Sequence, residues 1–109
     1  MSGSSSGGGI PSINRPQENE RCENLVINTN LASPQAQVIE NLQIGDILSV
    51  EIASDQGPIQ ALDEDGKLAG NIISREQVRL LNCIINGTEY IAEVIALENG
   101  QCSVQIRAV

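Results

Sequence analysis

The chain contains no His, no Trp and no Phe, and Tyr90 is its single aromatic residue. Without an imidazole the usual general base and the commonest neutral zinc ligand are missing, so Ser/His/Asp and Cys/His mechanisms are excluded. Without aromatics there is no row of stacking platforms of the kind that single-strand binders place along a basic groove. Positive charge is also scarce: six Lys and Arg face fourteen Asp and Glu, a formal net charge of -8. Apolar runs are short, as at Leu25-Val26-Ile27, and none is long enough to cross a bilayer. Met1-Ser2-Gly3 is followed by Ser and Gly rather than by the basic and apolar stretches of a secretory signal, so the expected location is cytoplasmic and no membrane partner is expected.

What is present divides at about residue 21. Residues 1–21 are rich in Ser, Gly and Pro, with Ile10 and Ile13 as their large aliphatics, and this composition predicts a disordered tail. Met1 to Gly9 alone has the composition of a flexible linker. Arg15 and Arg21 balance Glu18 and Glu20 there, so the whole negative charge falls on residues 22–109, where Lys67, Arg75, Arg79 and Arg107 are the bases. That span is the right size for one small domain. Its acidity repels phosphate backbones and anionic lipid at long range.

The pattern predicts an α+β, mainly β domain: a small curled sheet or barrel of about six strands. Residues 24–29 read as a first strand, and Ser33-Pro34 opens a short helical turn over 34–42 that Gly45 stops. In residues 46–53, Leu48, Val50 and Ile52 alternate with Ser49 and Glu51, as in a half-buried strand. Residues 58–62 and 67–72 flank Asp63-Glu64-Asp65-Gly66, a hairpin signal. The main helix, over about 74–86, lies between the fourth and fifth strands. Ser74 and Gln77 have capping-box spacing, Val78, Leu81, Ile84 and Ile85 recur at helical intervals with Leu80 beside them, and Asn86-Gly87 ends the run. Residues 88–98 and 101–109 form a last hairpin across Asn99-Gly100, with Cys102, Val104 and Ile106 facing inward.

Candidate chemistry is thin. Asp63, Glu64 and Asp65 read as ordinary solvated turn residues and lack the layout of a calcium loop. Cys22, Cys83 and Cys102 form no C-x-x-C pair and are odd in number, so they read first as small buried hydrophobes, with a disulfide as the alternative and no metal site. Asn86-Gly87-Thr88 matches a glycosylation acceptor pattern but reads as a helix stop followed by a strand. Arg75, Arg79, Asn82 and Asn86 fall on one stripe of the helix, either a solvated face or a place where an anion could dock near the helix start. Tyr90 reads as a strand packing residue.

The stretch 57–94 resembles the HIRAN domain. The residues that carry the resemblance are Ile59-Gln60-Ala61, then Glu64-Asp65-Gly66-Lys67-Leu68-Ala69-Gly70-Asn71-Ile72, a helix ending Leu80-Leu81 and Gly87, and Tyr90-Ile91-Ala92-Glu93-Val94. The family sets a hydrophobic strand, a tight turn, a strand ending G-x-[IVL], a helix and an A-x-V strand in this order on a small β-barrel. The resemblance implies an accessory binding module of DNA-processing enzymes, some members of which capture single-stranded 3′ ends. It implies that Gly70, Asn71 and Ile72 match the strand end, with Arg75 near the nucleic-acid edge. Together these readings predict no catalyst and no cofactor, but a binding module that is a monomer or weak homodimer. A protein partner is expected ahead of nucleic acid because of the acidity, with Asn71, Arg75, Arg79 and Tyr90 as ligand-binding candidates.

Overall fold

The computed structural model describes residues 21–109. The tail expected over 1–21 therefore lies, but for Arg21, outside the described residues. In chain order the elements are a 3-10 turn (Cys22–Asn24), β1 (Val26–Asn30), α1 (Ala36–Ile39), β2 (Ile47–Ile52), β3 (Ile59–Leu62), β4 (Leu68–Ile72), α2 (Gln77–Ile85), β5 (Tyr90–Glu98) and β6 (Gln101–Ala108). The six strands make one antiparallel sheet in the order β1-β6-β5-β2-β3-β4.

Local sequence explains most of the turns. Asn99 and Gly100 both take positive φ, 51° and 82°, as a two-residue hairpin requires, and Glu98 pairs with Gln101 across them. The β3–β4 turn is organised by Asp63, whose Oδ1 accepts the N–H groups of Asp65 (2.9 Å) and Lys67 (2.8 Å). At the entry to α2 the predicted box is present: Ser74 Oγ accepts the Glu76 N–H at 3.0 Å, and Gln77 Oε1 accepts the Ser74 N–H at 3.2 Å. The regular helix nevertheless begins at Gln77 rather than Ser74, because Ser74 to Glu76 are spent on this capping turn. Ser33 does not cap α1. It sits at φ 49°, and its carbonyl accepts the Gln35 side-chain N–H, so α1 shrinks to four residues.

The sheet curls until its two ends meet. Register shifts at Val94/Ala96 and at Ala61/Leu62 add bend. The chain leaving β1 then lies along the outer edge of β4, where Ala32 and Asn71 exchange both backbone hydrogen bonds at 2.8 Å and the Gln35 N–H reaches the Ala69 carbonyl at 2.9 Å. The interior is aliphatic and small: Ala61, Ala69 and Ala92 are fully buried beside Leu48, Val94, Val104 and Ile106. Inward Cys102, Val104 and Ile106 follow the predicted alternation. The inward line of α2 differs from the expectation. Leu80 and Cys83 are buried, Leu81 and Ile84 half-buried, while Val78 is 66% exposed. The helix is turned so that Cys83 faces Cys22.

Closure depends on Gly70. A Cβ there would stand 2.9 Å from Leu31 Cβ and 3.0 Å from the Ala32 carbonyl oxygen, contacts that force backbone or core atoms to move. Gly70→Ala is expected to lower stability by about 1–3 kcal/mol, the usual cost of overpacking. A shifted urea midpoint with an unchanged slope checks this, whereas an unshifted midpoint contradicts the close approach.

Candidate functional site

The four residues singled out from the sequence are placed on successive stretches of the chain: β4, the turn before α2, α2 and the start of β5. Asn71 is held in β4 by its backbone bonds to Ala32, and its side-chain Oδ1 is buried without a hydrogen-bond partner among the described residues. Arg75 is exposed on the capping turn before α2. Arg79 is half-buried on α2 and lies 3.7 Å from Glu76 in an exposed ion pair. Tyr90 is buried at the start of β5, and its hydroxyl donates to the Cys22 carbonyl. Burial pushes the Tyr90 phenol above its ordinary value, and the Arg79 guanidinium opposes that shift in part. Tyr90 is thus a packing residue, as expected, and Arg79 is near enough to feel its charge.

The cysteines depart from the first reading. Cys22 and Cys83 form a disulfide with their Cα atoms 5.6 Å apart, tying the turn before β1 to the C-terminal half of α2. Sequence separation gave no sign of this, because the pair meets only once β1 and α2 are packed against the same end of the sheet. Cys102 is the free thiol; it is buried on β6, and burial raises its pKa. This one behaves as the small hydrophobe expected of all three.

Two concave surfaces stand out. One, about 380 Å³, lies between α1 and the β3–β4 turn, and is bordered by Asp46, Asp63, Glu64 and Asp65 with Lys67 as its one base. Gln37 and Asn41 line its helix side. Asp46 and Asp63 are partly engaged, since Asp46 Oδ2 accepts the Gln43 N–H at 2.9 Å and Asp63 holds its turn. Glu64 and Asp65 are exposed. The acidic run at 63–65 is visible in the sequence, but its alignment with Asp46 and the polar face of α1 is a product of the fold. Among the described residues, no three Cys, Asp or Glu side chains are grouped to hold a metal ion. The second surface, about 510 Å³, lies at the C-terminal end of α2 and is lined by Val50, Ile52, Ile84, Thr88, Tyr90 and Val109 among others.

Basic side chains gather at neither surface. Arg21 pairs with Glu23 at 3.3 Å and Arg107 with Glu93 at 2.7 Å, which leaves little unopposed positive potential. No helix among the described residues is long and apolar enough to cross a membrane. Comparison with known proteins returned no matching family model, no matching curated protein and no matching solved structure.

Two outcomes follow from this chemistry. The oxidised native protein is expected to show no thiol reactive toward a maleimide, and one after denaturation, because only buried Cys102 is free. A reactive thiol in the native state would contradict the pairing. The raised phenol makes stability pH-dependent: it is fully present below the ordinary Tyr value of 10.0 and is lost as pH climbs from there through the higher folded value. Tyr90→Phe is expected to flatten that alkaline loss, with Cys102 contributing what remains, as read by denaturation midpoints along a pH series.

Proposed function

We propose that this domain is a non-enzymatic interaction module that receives a cationic segment of a protein partner in the groove between α1 and the β3–β4 turn. The observation that carries the reading is the groove itself, concave, bordered by four carboxylates and one lysine, on a chain whose net charge is -8. Glu64 and Asp65 supply exposed negative charge at its rim, while Gln37 and Asn41 supply amides that bond equally well to a backbone or to a Lys or Arg head group. The long-range field of the domain steers a basic partner inward and keeps phosphate polymers away. The domain works as a monomer or weak homodimer, a second copy pairing along the edge strand β1. Its cytoplasmic placement belongs to this reading, and the disulfide then marks an oxidised state of the protein.

A HIRAN-like origin is part of the same proposal. The order β3, turn, β4, α2, β5 supports it. A second reading, capture of a single-stranded DNA end along Asn71, Arg75 and Arg79, is favoured by one observation, the buried Asn71 Oδ1 that lacks a partner. Leaving such an atom unpaired costs on the order of 1–3 kcal/mol, which a ligand donor could recover.

Calorimetric titration with a Lys-rich peptide, at low and at physiological salt, tests the first reading. Binding is expected to weaken with salt. Reversing both exposed charges (Glu64→Lys with Asp65→Lys) removes two attractions and adds two repulsions, about 1–2 kcal/mol together or roughly tenfold in affinity. Peptide binding unaffected by that double change overturns the groove assignment, and preferential binding of a single-stranded oligonucleotide transfers the function to the second reading.

A further inference from the structure

The strongest feature that the interaction reading leaves unused is the covalent link at the opposite end of the domain. The Cys22–Cys83 bridge joins two pieces that few other contacts hold together. On one side is the turn Cys22–Asn24, whose backbone bonds, Asn24 N–H to Arg21 and Leu25 N–H to Cys22, stay within the turn itself. Among the described residues, its hydrogen bond to a distant part of the chain is the one the Tyr90 hydroxyl donates to the Cys22 carbonyl. On the other side is the C-terminal half of α2, where the Thr88 N–H is bonded to the Cys83 carbonyl at 3.0 Å. Ile84, Thr88 and Tyr90 are walls of the 510 Å³ groove between α2 and the sheet. The bridge therefore fastens, through Cys83 and through the Cys22–Tyr90 bond, both the helix wall and the strand wall of one groove.

We propose that Cys22–Cys83 is a redox clasp: oxidised, it pins the N-terminal turn to α2 and fixes the width of the groove at Tyr90, and reduced, it frees the turn and the end of α2 and opens that groove while the sheet stays folded. The sheet does not need the bridge. Leu25 and Ile27, which follow the turn, are buried in the core, and β1 keeps its full register with β6 from Val26 to Asn30. The closure at Ala32 and Asn71 lies elsewhere, between the end of β1 and β4.

The chemistry balances with a cellular dithiol as reductant. Cys22 is half-buried and Cys83 buried, so the attacking thiolate meets the Cys22 sulfur. A bond forms between reductant and Cys22, the Cys22–Cys83 bond breaks, and Cys83 leaves with the electron pair and takes a proton. The second thiol of the reductant then displaces Cys22, so the bridge gains two electrons and the reductant becomes a disulfide. Cys102 takes no part, being buried on β6 and opposite Leu97. In a reducing compartment such a bridge is transient, which is the condition under which a clasp can switch.

Tyr90 is the only aromatic residue of the chain and touches the clasp directly, so it is a native probe. The full chain is compared oxidised, after reduction with dithiothreitol, and as Cys22→Ser with Cys83→Ser. Far-ultraviolet circular dichroism reports the sheet, quenching of tyrosine fluorescence by acrylamide reports Tyr90, and amide exchange locates the opening. The expected result in both the reduced protein and the double variant is a retained β spectrum, tyrosine quenching raised several-fold, and a phenol titration that moves back toward 10.0. Faster exchange is confined to residues 22–25 and 83–88. Loss of the β spectrum in the double variant overturns the proposal, because the bridge would then be a staple of the fold. Unchanged quenching and exchange in both forms overturn it equally.

Discussion

The domain depends on a single close approach, the passage of Leu31 and Ala32 across Gly70 and Asn71. A six-stranded antiparallel sheet that ended at β4 would leave one ladder open and its curl unsupported. Here the segment leaving β1 supplies the missing partner, and only a residue without a side chain lets it come near enough for both Ala32–Asn71 bonds to form. The same closure sets the size of the interior. A narrow curled sheet has room for Ala61, Ala69 and Ala92 between the larger aliphatics, which is why its core can be built without Phe or Trp.

Closure also separates the two ends of the domain. Around α1, which rests against β4, the chain presents carboxylates and amides to solvent. Around α2 it presents a groove of mixed lining, with Val50, Ile52 and Ile84 beside Glu51 and Glu89, together with the buried phenol of Tyr90 and the disulfide. The scarce bases are placed so that they add little to either end: Arg79 and Arg107 lie beside Glu76 and Glu93. A basic partner and a redox event would therefore act on different faces, and coupling between them would have to pass through the sheet.

Much of this architecture is legible in the sequence because its signals are local. The Asn99-Gly100 turn, the Asp63 turn, the Ser74/Gln77 box and the alternation of Cys102, Val104 and Ile106 each depend on neighbours a few residues away, and each is present. The departures have one cause, contacts between residues distant in the chain. α2 turns Leu80 and Cys83 toward the core, Cys83 meeting Cys22, and leaves Val78 outside, and Ser33 adopts a left-handed turn instead of a cap as the chain passes onto β4. The candidate site follows the same division. The acids at 63–65 are plain in the sequence, whereas their alignment with Asp46, Gln37 and Asn41 exists only after β2, β3 and α1 are assembled. The helical stripe expected of Arg75 and Arg79 is present only in part, since α2 begins at Gln77 and leaves Arg75 on the capping turn, while Asn71 sits in β4 and Tyr90 lies beneath Cys22, near enough to Arg79 to feel its charge.

The most direct test of the account is a two-dimensional amide NMR titration of the oxidised full chain, with the Lys-rich peptide in one series and a short single-stranded oligonucleotide with a free 3′ hydroxyl in the other. The account predicts that the peptide shifts the amides of Gln37, Asn41, Asp46 and residues 63–67, less strongly as salt rises, and that the oligonucleotide leaves the spectrum unmoved. Shifts induced by the oligonucleotide at Asn71, Arg75 and Arg79, with the acidic groove silent toward the peptide, would contradict it.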